Sequence, residues 1–115
     1  MFKRDRVRLQ HMLDAAQEAM AFAREASREQ LEHDRKLTLA LVKAVEIIGE
    51  AAYQISESTR KRFPEIPWED IIGMRHRLVH AYFEIDLDVL WSTVQHDLSP
   101  LVVTLRKALH DMEQG

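Results

Sequence analysis

The sequence contains no cysteine, only three glycines and three prolines, and no long apolar run. Without cysteine there are neither disulfides nor thiolate metal ligands, which is typical of a reducing compartment. So few glycines and prolines leave little room for the turns of a β-protein and favour helices. A membrane-spanning helix needs roughly 20 apolar residues, and the N-terminus lacks the apolar core of a secretory signal. We therefore predict a cytoplasmic protein without a membrane span.

The composition indicates a globular protein with a modest acidic balance. The chain has 115 residues, of which 46% are hydrophobic and 30% charged, and its net charge is −3. This is not the strongly basic balance of many nucleic-acid-binding domains. Basic residues nevertheless cluster at positions 3–8, 60–62 and 75–77. Each cluster is ordinarily a solvated helix face, but the three could also line one cleft, and the sequence does not decide between these readings.

Apolar residues recur at steps of three and four along most of the chain, the pattern of amphipathic helices. We predict an all-α antiparallel bundle of four main helices that forms a single domain over residues 1–115. Pro100 interrupts the last apolar pattern, which predicts either a kinked helix or two abutting helices near Asp97 to Pro100. The predicted helices run from about Arg4 to Ala26, Arg35 to Arg60, Pro67 to Ala81, and Leu87 to Met112.

Two neighbouring residues in the second predicted helix stand out. Gly49 costs about 1 kcal/mol relative to alanine in a helix, so we expect another helix to approach closely there. Glu50 lies in an apolar segment, where an unpaired carboxylate would be costly. We expect Glu50 to pair with Arg75 or Arg77, either as a plain ion pair or to orient a catalytic arginine. Both readings place Glu50 close to the stretch that contains these arginines.

The stretch from Gly73 to Phe83 concentrates polar groups suited to phosphate chemistry. It carries two arginines, two histidines and a tyrosine, namely Arg75, His76, Arg77, His80 and Tyr82. A fixed cation, a group that titrates near neutral pH and a phenol suit the handling of a phosphodiester. On spacing alone a structural reading stays open, in which the arginine makes a surface ion pair, the second histidine caps a helix and the tyrosine packs at the bundle edge.

A metal site is an alternative use of the two histidines. His76 and His80 are four positions apart and would share one face of a regular helix, as metal-ligating pairs do. The stretch offers no suitably placed third ligand, however, and Arg75 and Arg77 would repel a divalent cation. We therefore predict no metal site.

The arrangement Arg-x4-His-x-Tyr resembles the signature of the HEPN ribonucleases, in particular the HepT-like toxins of prokaryotic toxin–antitoxin pairs. The residue after the arginine is often asparagine in that family and is His76 here. The resemblance extends to most of the chain from Leu37 onward. Similar blocks occur at residues 47–52, 63–68, 71–75, 82–86, 90–91 and 97–98.

The resemblance implies a HEPN-type bundle, a homodimer and a metal-independent RNA endonuclease that needs no cofactor. It implies that Arg75 and His80 are the catalytic pair, with His76, Arg77 and Glu50 in supporting positions. Tyr82 matches the tyrosine that the partner antitoxin, a nucleotidyltransferase called MntA, modifies with AMP units, and toxin and antitoxin could form a larger assembly. The alternative is a non-catalytic helical subunit that binds substrate for, or regulates, such a nucleotidyltransferase.

Elementary chemistry is consistent with these implied roles. A neutral imidazole at His80 can help to deprotonate the 2′-OH of RNA, and a guanidinium at Arg75 can stabilise charge on the phosphate oxygens. Because DNA lacks the 2′-OH, this mechanism predicts selectivity for RNA. AMP on Tyr82 would add bulk and negative charge near the substrate phosphate.

The geometry of a regular helix raises one difficulty for the catalytic pair. Five residues at about 100° each place Arg75 and His80 some 140° apart around the axis. Either the helix loosens before His80, or the site combines residues of two protomers across a two-fold axis. We expect the second arrangement, a composite site in a homodimer.

Overall fold

The computed structural model describes residues 2–80 and 84–114, and for Phe2 and His80 it describes the backbone. The described residues are mostly helical, with one short antiparallel hairpin. A π-helical segment, Thr93–Asp97, joins the last two helices. The elements are α1 Phe2–Ala23, α2 Gln30–His33, α3 Arg35–Gln54, α4 Glu57–Arg62, α5 Trp68–Leu78, β1 Val79–His80, β2 Glu84–Ile85, α6 Leu87–Ser92 and α7 Leu98–Gln114.

The four long helices enclose one hydrophobic core. Helix α1 packs against α3 and α7, and α3 also packs against α5. The apolar stripes predicted from the sequence face this core, because burying them removes apolar surface from water. Fully or almost fully buried side chains come from each of these helices: Leu9, Met12, Leu41, Ile48, Ile71, Leu78, Leu98 and Leu105. No helix in the described ranges is long and apolar enough to cross a membrane.

The prediction that the second helix extends to Arg60 is wrong. Helix α3 ends at Gln54, and a separate helix, α4, begins at Glu57. Ser56 lies between them with extended backbone, and its hydroxyl accepts a hydrogen bond of 3.3 Å from the Thr59 N–H, as an N-cap residue does. The Ser56 N–H and hydroxyl also donate to the buried carboxylate of Asp5 in α1. A contact with a distant helix therefore holds this break in place.

Close packing of α3 against α5, expected at Gly49, is confirmed. A Cβ atom at Gly49 would lie 3.3 Å from the backbone oxygen of Ile71 in α5, closer than most Cβ contacts in proteins. The start of α5 is anchored by Trp68, whose indole Nε1 donates to the backbone oxygens of Phe63 at 3.1 Å and Arg60 at 3.2 Å. These contacts fix the helix that carries the polar stretch beside the central helix α3.

Helix α5 is shorter than predicted. It ends at Leu78 instead of Ala81, and Val79 has extended backbone with φ −115° and ψ 115°. β1 pairs antiparallel with β2, with Val79 opposite Ile85 and His80 opposite Glu84. The prediction of an all-α fold is confirmed for the described residues, and this two-residue hairpin is a local exception, because pairing with residues further along the chain competes with continuation of the helix.

The irregularity predicted at Asp97–Pro100 lies one turn earlier. Helix geometry widens to π over Thr93–Asp97, and Pro100 is the third residue of α7. Proline has no N–H and its ring crowds the carbonyl four residues before it, which here belongs to His96. A wider turn that includes His96 is a known way to relieve such crowding within a continuous helix.

Candidate active site

Arg75 lies in the last turn of α5 with its side chain 54% exposed. Its Nε lies 3.3 Å from Oε2 of Glu46, a half-buried residue of α3. A guanidinium carries five N–H donors, and this contact engages the Nε donor. The carboxylate therefore fixes the orientation of the guanidinium while the side chain stays accessible from solvent.

Arg75 and His76 line an open cleft of about 780 Å³ formed by α1, α3 and α5. Three permanently charged cations face two carboxylates in this cleft, although the whole chain has a net charge of −3. The cleft therefore concentrates positive charge relative to the rest of the molecule. The residues that line it with polar or aromatic side chains are Arg8, His11, Lys43, Glu46, Glu50, Tyr53, Gln54, Arg75 and His76.

The expected ion pair of Glu50 with Arg75 or Arg77 is wrong. Glu50 is exposed, so its carboxylate does not need an arginine partner to offset burial, and its Oε1 accepts a hydrogen bond of 3.4 Å from Gln54 Nε2. The carboxylate that pairs with Arg75 is Glu46, one helical turn earlier on the same face of α3. The expected proximity is confirmed, because Glu50 lines the same cleft as Arg75.

Arg77 lies on a different side of α5 from Arg75. Two residues along a helix correspond to a rotation of about 200°. Arg77 donates a hydrogen bond of 3.0 Å to the backbone oxygen of Asp70 and lines a second, smaller cleft together with His96. The structure thus brings Arg75, His76 and Glu50 together and places Arg77 apart from them.

His80 follows the end of α5 and does not continue the helix. Its backbone lies in β1; its side chain lies outside the described part of the structure, as does the whole of Tyr82. Of the two ways to resolve the 140° difficulty, the structure contains the first, because the helix ends at Leu78. Helix geometry therefore no longer requires a site composed of two protomers. Since His80 lies beyond the helix, His76 and His80 also do not share a helix face.

Two of the three basic clusters meet at this cleft. Arg8 of the first cluster and Arg75 of the third line it, whereas Arg60 donates to the backbone oxygens of Ala52 and Tyr53 at the C-terminal end of α3. The sequence singled out Arg8 only as part of the first basic cluster, and it gave no sign that His11, Lys43, Glu46 or Tyr53 belong to a site. Helical spacing could have grouped those of α3 on one face, but only the packing of α1, α3 and α5 reveals that they share a cleft.

Within residues 2–80 and 84–114, no group of three or more histidine, aspartate or glutamate side chains is arranged to hold a metal ion. The chemistry available in the described cleft is that of guanidinium, ammonium, imidazole and carboxylate groups. Guanidinium and ammonium groups bind phosphate oxygens, and imidazole can transfer protons near neutral pH. The fold and the cleft define a small, mostly helical protein with groups suited to a phosphodiester.

The chain belongs to the HepT-like ribonuclease family. The model of this family, described as "Ribonuclease HepT-like", matches residues 12–108. It is 40% identical over 93 residues to the "Probable ribonuclease HepT" of Thermococcus cleftensis, covering 81% of this chain and 84% of that protein. It is 34% identical over 99 residues to the "Putative RNase MJ1380" of Methanocaldococcus jannaschii, covering 85% and 91%. A second M. jannaschii protein, "Putative RNase MJ0125", is 28% identical over 99% of both chains. No solved structure matches this chain.

Proposed function

We propose that this chain is the toxin of a toxin–antitoxin pair and cleaves cytoplasmic RNA without a metal ion. The observation that carries the proposal is the placement of Arg75, which is 54% exposed in a basic cleft. The surface ion pair of the structural interpretation is present, between Arg75 and Glu46, but it uses the Nε donor of a guanidinium that has four more N–H donors. An exposed guanidinium that is oriented by one carboxylate suits the binding of a phosphate from solvent. The membership of a ribonuclease family supports phosphodiester cleavage as the reaction.

In the proposed reaction, the substrate supplies its own nucleophile. His80 accepts the proton of the RNA 2′-OH, and the 2′-oxygen attacks the adjacent phosphorus. Arg75 stabilises the negative charge that develops on the phosphate oxygens, and the bond to the 5′-oxygen breaks as that oxygen takes a proton from solvent water. The products are a 2′,3′-cyclic phosphate and a 5′-hydroxyl. Glu46 acts as a positioning residue, because its carboxylate contacts the Nε atom of Arg75.

The proposed antitoxin is a nucleotidyltransferase of the MntA type that modifies Tyr82. The phenolic oxygen attacks the α-phosphorus of ATP, a phosphodiester to AMP forms and pyrophosphate leaves. The added bulk and negative charge would compete with the RNA phosphate for the cations of the site. Mass spectrometry after co-expression with the nucleotidyltransferase should find AMP on the peptide that contains Tyr82. An adduct on the peptide of Tyr53 instead would show that the assignment of the modified residue is wrong.

The nuclease proposal is tested with purified protein, excess chelator and single-stranded RNA. We expect Arg75→Ala to lower the cleavage rate roughly 100- to 1,000-fold, the usual cost of losing one donor to a developing oxyanion. We expect His80→Ala to lower it roughly 100- to 10,000-fold through loss of general acid–base catalysis. Arg106→Ala is the matched control, because Arg106 is exposed on α7 and does not line the cleft.

Two further measurements test the mechanism: the chemical ends of the cleaved RNA, and the fate of a DNA strand of the same sequence. Cleavage should leave 2′,3′-cyclic phosphate ends, and a DNA strand of the same sequence should remain intact because it lacks the nucleophile. Equal cleavage by all variants would exclude Arg75 and His80 as the catalytic pair. No cleavage by the unmodified protein would favour the alternative of a non-catalytic subunit, and cleavage that requires added Mg²⁺ would contradict metal independence.

A further inference from the structure

The cleft that contains Arg75 continues past it along α3 to the C-terminal end of that helix. Lys43, Glu46, Glu50 and Tyr53 follow at steps of three and four residues, so they lie along one face of α3. Tyr53 lies ten positions after Lys43, which corresponds to about 15 Å along the helix axis. The cleft is therefore an elongated surface, long enough for a strand of a few nucleotides, and the RNA-cleaving chemistry proposed for Arg75 uses only part of it.

Tyr53 presents an exposed aromatic ring in this cleft on a fixed backbone. Its side chain is 63% exposed, and of the described large hydrophobic side chains that are similarly exposed (Val7, Phe22, Leu39 and Val103) none lines the cleft. The guanidinium of Arg60 donates hydrogen bonds to the backbone oxygens of Tyr53, at 2.8 Å, and Ala52, at 3.1 Å. An accessible ring on an anchored turn is a suitable platform for the face of a nucleobase.

Two cations line this cleft, one near each end of the face of α3. Arg8 Nη1 donates a hydrogen bond of 3.0 Å to the backbone oxygen of Gln54, which holds the guanidinium beside Tyr53 and leaves further N–H donors. Lys43 is exposed at the other end of the face and makes no ion pair within the described part of the chain. The two carboxylates of the cleft have partners within it, since Glu46 contacts Arg75 and Glu50 accepts a hydrogen bond from Gln54.

We propose that this cleft is a subsite for single-stranded RNA, in which Tyr53 stacks on a base while Arg8 and Lys43 bind backbone phosphates. The proposal rests on the nuclease function proposed above and extends it, because the subsite would deliver the strand to Arg75. A base in a duplex is already stacked on both faces and cannot cover Tyr53, so single strands should be preferred. The combination of an exposed aromatic ring with cations in one cleft is an arrangement by which proteins bind single strands without reading the sequence.

The subsite is tested by fluorescence anisotropy with a fluorescein-labelled single-stranded RNA of about twelve nucleotides. The full chain carries His80→Ala in every sample so that the probe stays intact. We expect Tyr53→Ala to raise the Kd roughly 5- to 100-fold, the range measured for loss of one base–aromatic stack. Tyr53→Phe keeps the ring and should bind within about twofold of the parent. Phe22→Ala removes an equally accessible aromatic ring outside the cleft and is the matched control.

The phosphate contacts are tested through the salt dependence of the same binding. Loss of one phosphate contact lowers the slope of log Kd against log salt by about 0.7 for a single strand. We expect this change for Lys43→Gln and for Arg8→Gln but not for Lys107→Gln, because Lys107 lies on α7 away from the cleft. Circular dichroism of each variant establishes that the fold is retained.

Three outcomes would overturn the subsite: unchanged binding by Tyr53→Ala, an unchanged salt slope for Lys43→Gln, or equal affinity for a duplex of the same length. Each is distinguishable from failure of the nuclease proposal, which is read from cleavage by the chain with His80 intact. Cleavage of RNA together with unchanged binding by Tyr53→Ala would remove the subsite and leave the nuclease. Weaker binding by Tyr53→Ala without any cleavage would remove the nuclease and leave the subsite.

Discussion

At the scale of single residues, Asp5 is a buried carboxylate whose stability depends on its hydrogen-bond partners. Asp5 is 2% exposed in the first turn of α1. Its Oδ1 accepts from the Ser56 N–H at 3.1 Å, and its Oδ2 accepts from the hydroxyls of Ser56 and Thr59, each at 2.6 Å. These bonds join the start of α1 to the first turn of α4 and satisfy a carboxylate that would otherwise be costly to bury.

The pKa of Asp5 determines how this contact responds to pH. Burial raises the pKa, but the hydrogen bonds from Ser56 and Thr59 and the attraction of Arg8 together lower it by more, so the pKa lies below its ordinary value of 3.8. In the unfolded chain the carboxyl therefore binds its proton more readily than in the folded protein. The stabilisation is fully present well above pH 3.8 and is lost as the pH falls through the lower pKa of the folded state.

We predict that Asp5→Asn lowers the free energy of unfolding at neutral pH by about 1–3 kcal/mol, because an amide nitrogen cannot accept the hydrogen bonds that the carboxylate accepts. The difference between the two proteins should shrink as the pH falls below about 4, since the wild-type carboxyl then becomes protonated. Urea denaturation across a pH series measures both effects. Asp97→Asn is the control, because Asp97 is an exposed aspartate on another element.

The sequence identified Arg75 as a site residue but did not identify the carboxylate that pairs with it. The Arg-x4-His-x-Tyr spacing pointed to Arg75, and the structure places it in an exposed cleft. The same reasoning chose Glu50 as the paired carboxylate, where the structure has Glu46. Both glutamates lie on the same face of α3 one turn apart, and which one contacts the arginine depends on how α5 is positioned along α3.

At the scale of secondary-structure elements, the contact between α3 and α5 places the cleft residues of both helices side by side. A Cβ at Gly49 would lie 3.3 Å from the Ile71 backbone oxygen, whereas a Cβ at Gly73 of α5 would meet only the flexible end of Arg77 at 3.8 Å. Both glycines lie within helices, where alanine is ordinarily favoured by about 1 kcal/mol. Replacement by alanine therefore gives the same gain in helix propensity at both positions, but only at Gly49 does the new methyl group crowd the backbone of α5.

We predict that Gly73→Ala raises the free energy of unfolding by roughly 0.5–1 kcal/mol, because alanine loses less backbone entropy and meets no rigid neighbour. Gly49→Ala should raise it by less, or lower it, because the added methyl group must displace the backbone of α5 by a few tenths of an ångström. Denaturant unfolding of both variants measures the difference. Equal stabilisation by the two substitutions would show that the packing of α3 on α5 yields easily.

The boundaries of the elements were predictable where local sequence decides them. Pro64 and Pro67 of the connector correctly predicted a new helix near Trp68. The end of α5 at Leu78 was not predictable, because the extended backbone of Val79 is stabilised by pairing with Ile85 further along the chain. The break between α3 and α4 was missed for the same reason, since Ser56 there is held by Asp5.

At the scale of the whole molecule, the cleft of one chain gathers only a small excess of positive charge. Three permanent cations face two carboxylates in it, in a chain of net charge −3. A polyanionic substrate would be held more strongly if two clefts were brought together by a two-fold axis, which doubles the local excess. We propose a homodimer in which Arg75 of one protomer and His80 of its partner act on one phosphate.

We predict a mass in solution of about twice the 13.5 kDa of one chain, measured by light scattering after size exclusion. Mixing and refolding equal amounts of Arg75→Ala and His80→Ala should restore about a quarter of the wild-type cleavage rate. Half of the dimers are then mixed, and each mixed dimer has one of its two shared sites intact. No restoration, although mixed dimers form, would show that each protomer holds a complete site.

The sequence by itself determined the helical class, the apolar faces, the close approach at Gly49 and the polar stretch around Arg75, because these depend on residues near one another in the chain. Only the tertiary structure decided that Arg8, Lys43 and Tyr53 share a cleft with Arg75, and that Arg77 lies outside it. The physical reason is that the packing angles of three helices, set by many buried contacts at once, determine which exposed side chains face each other.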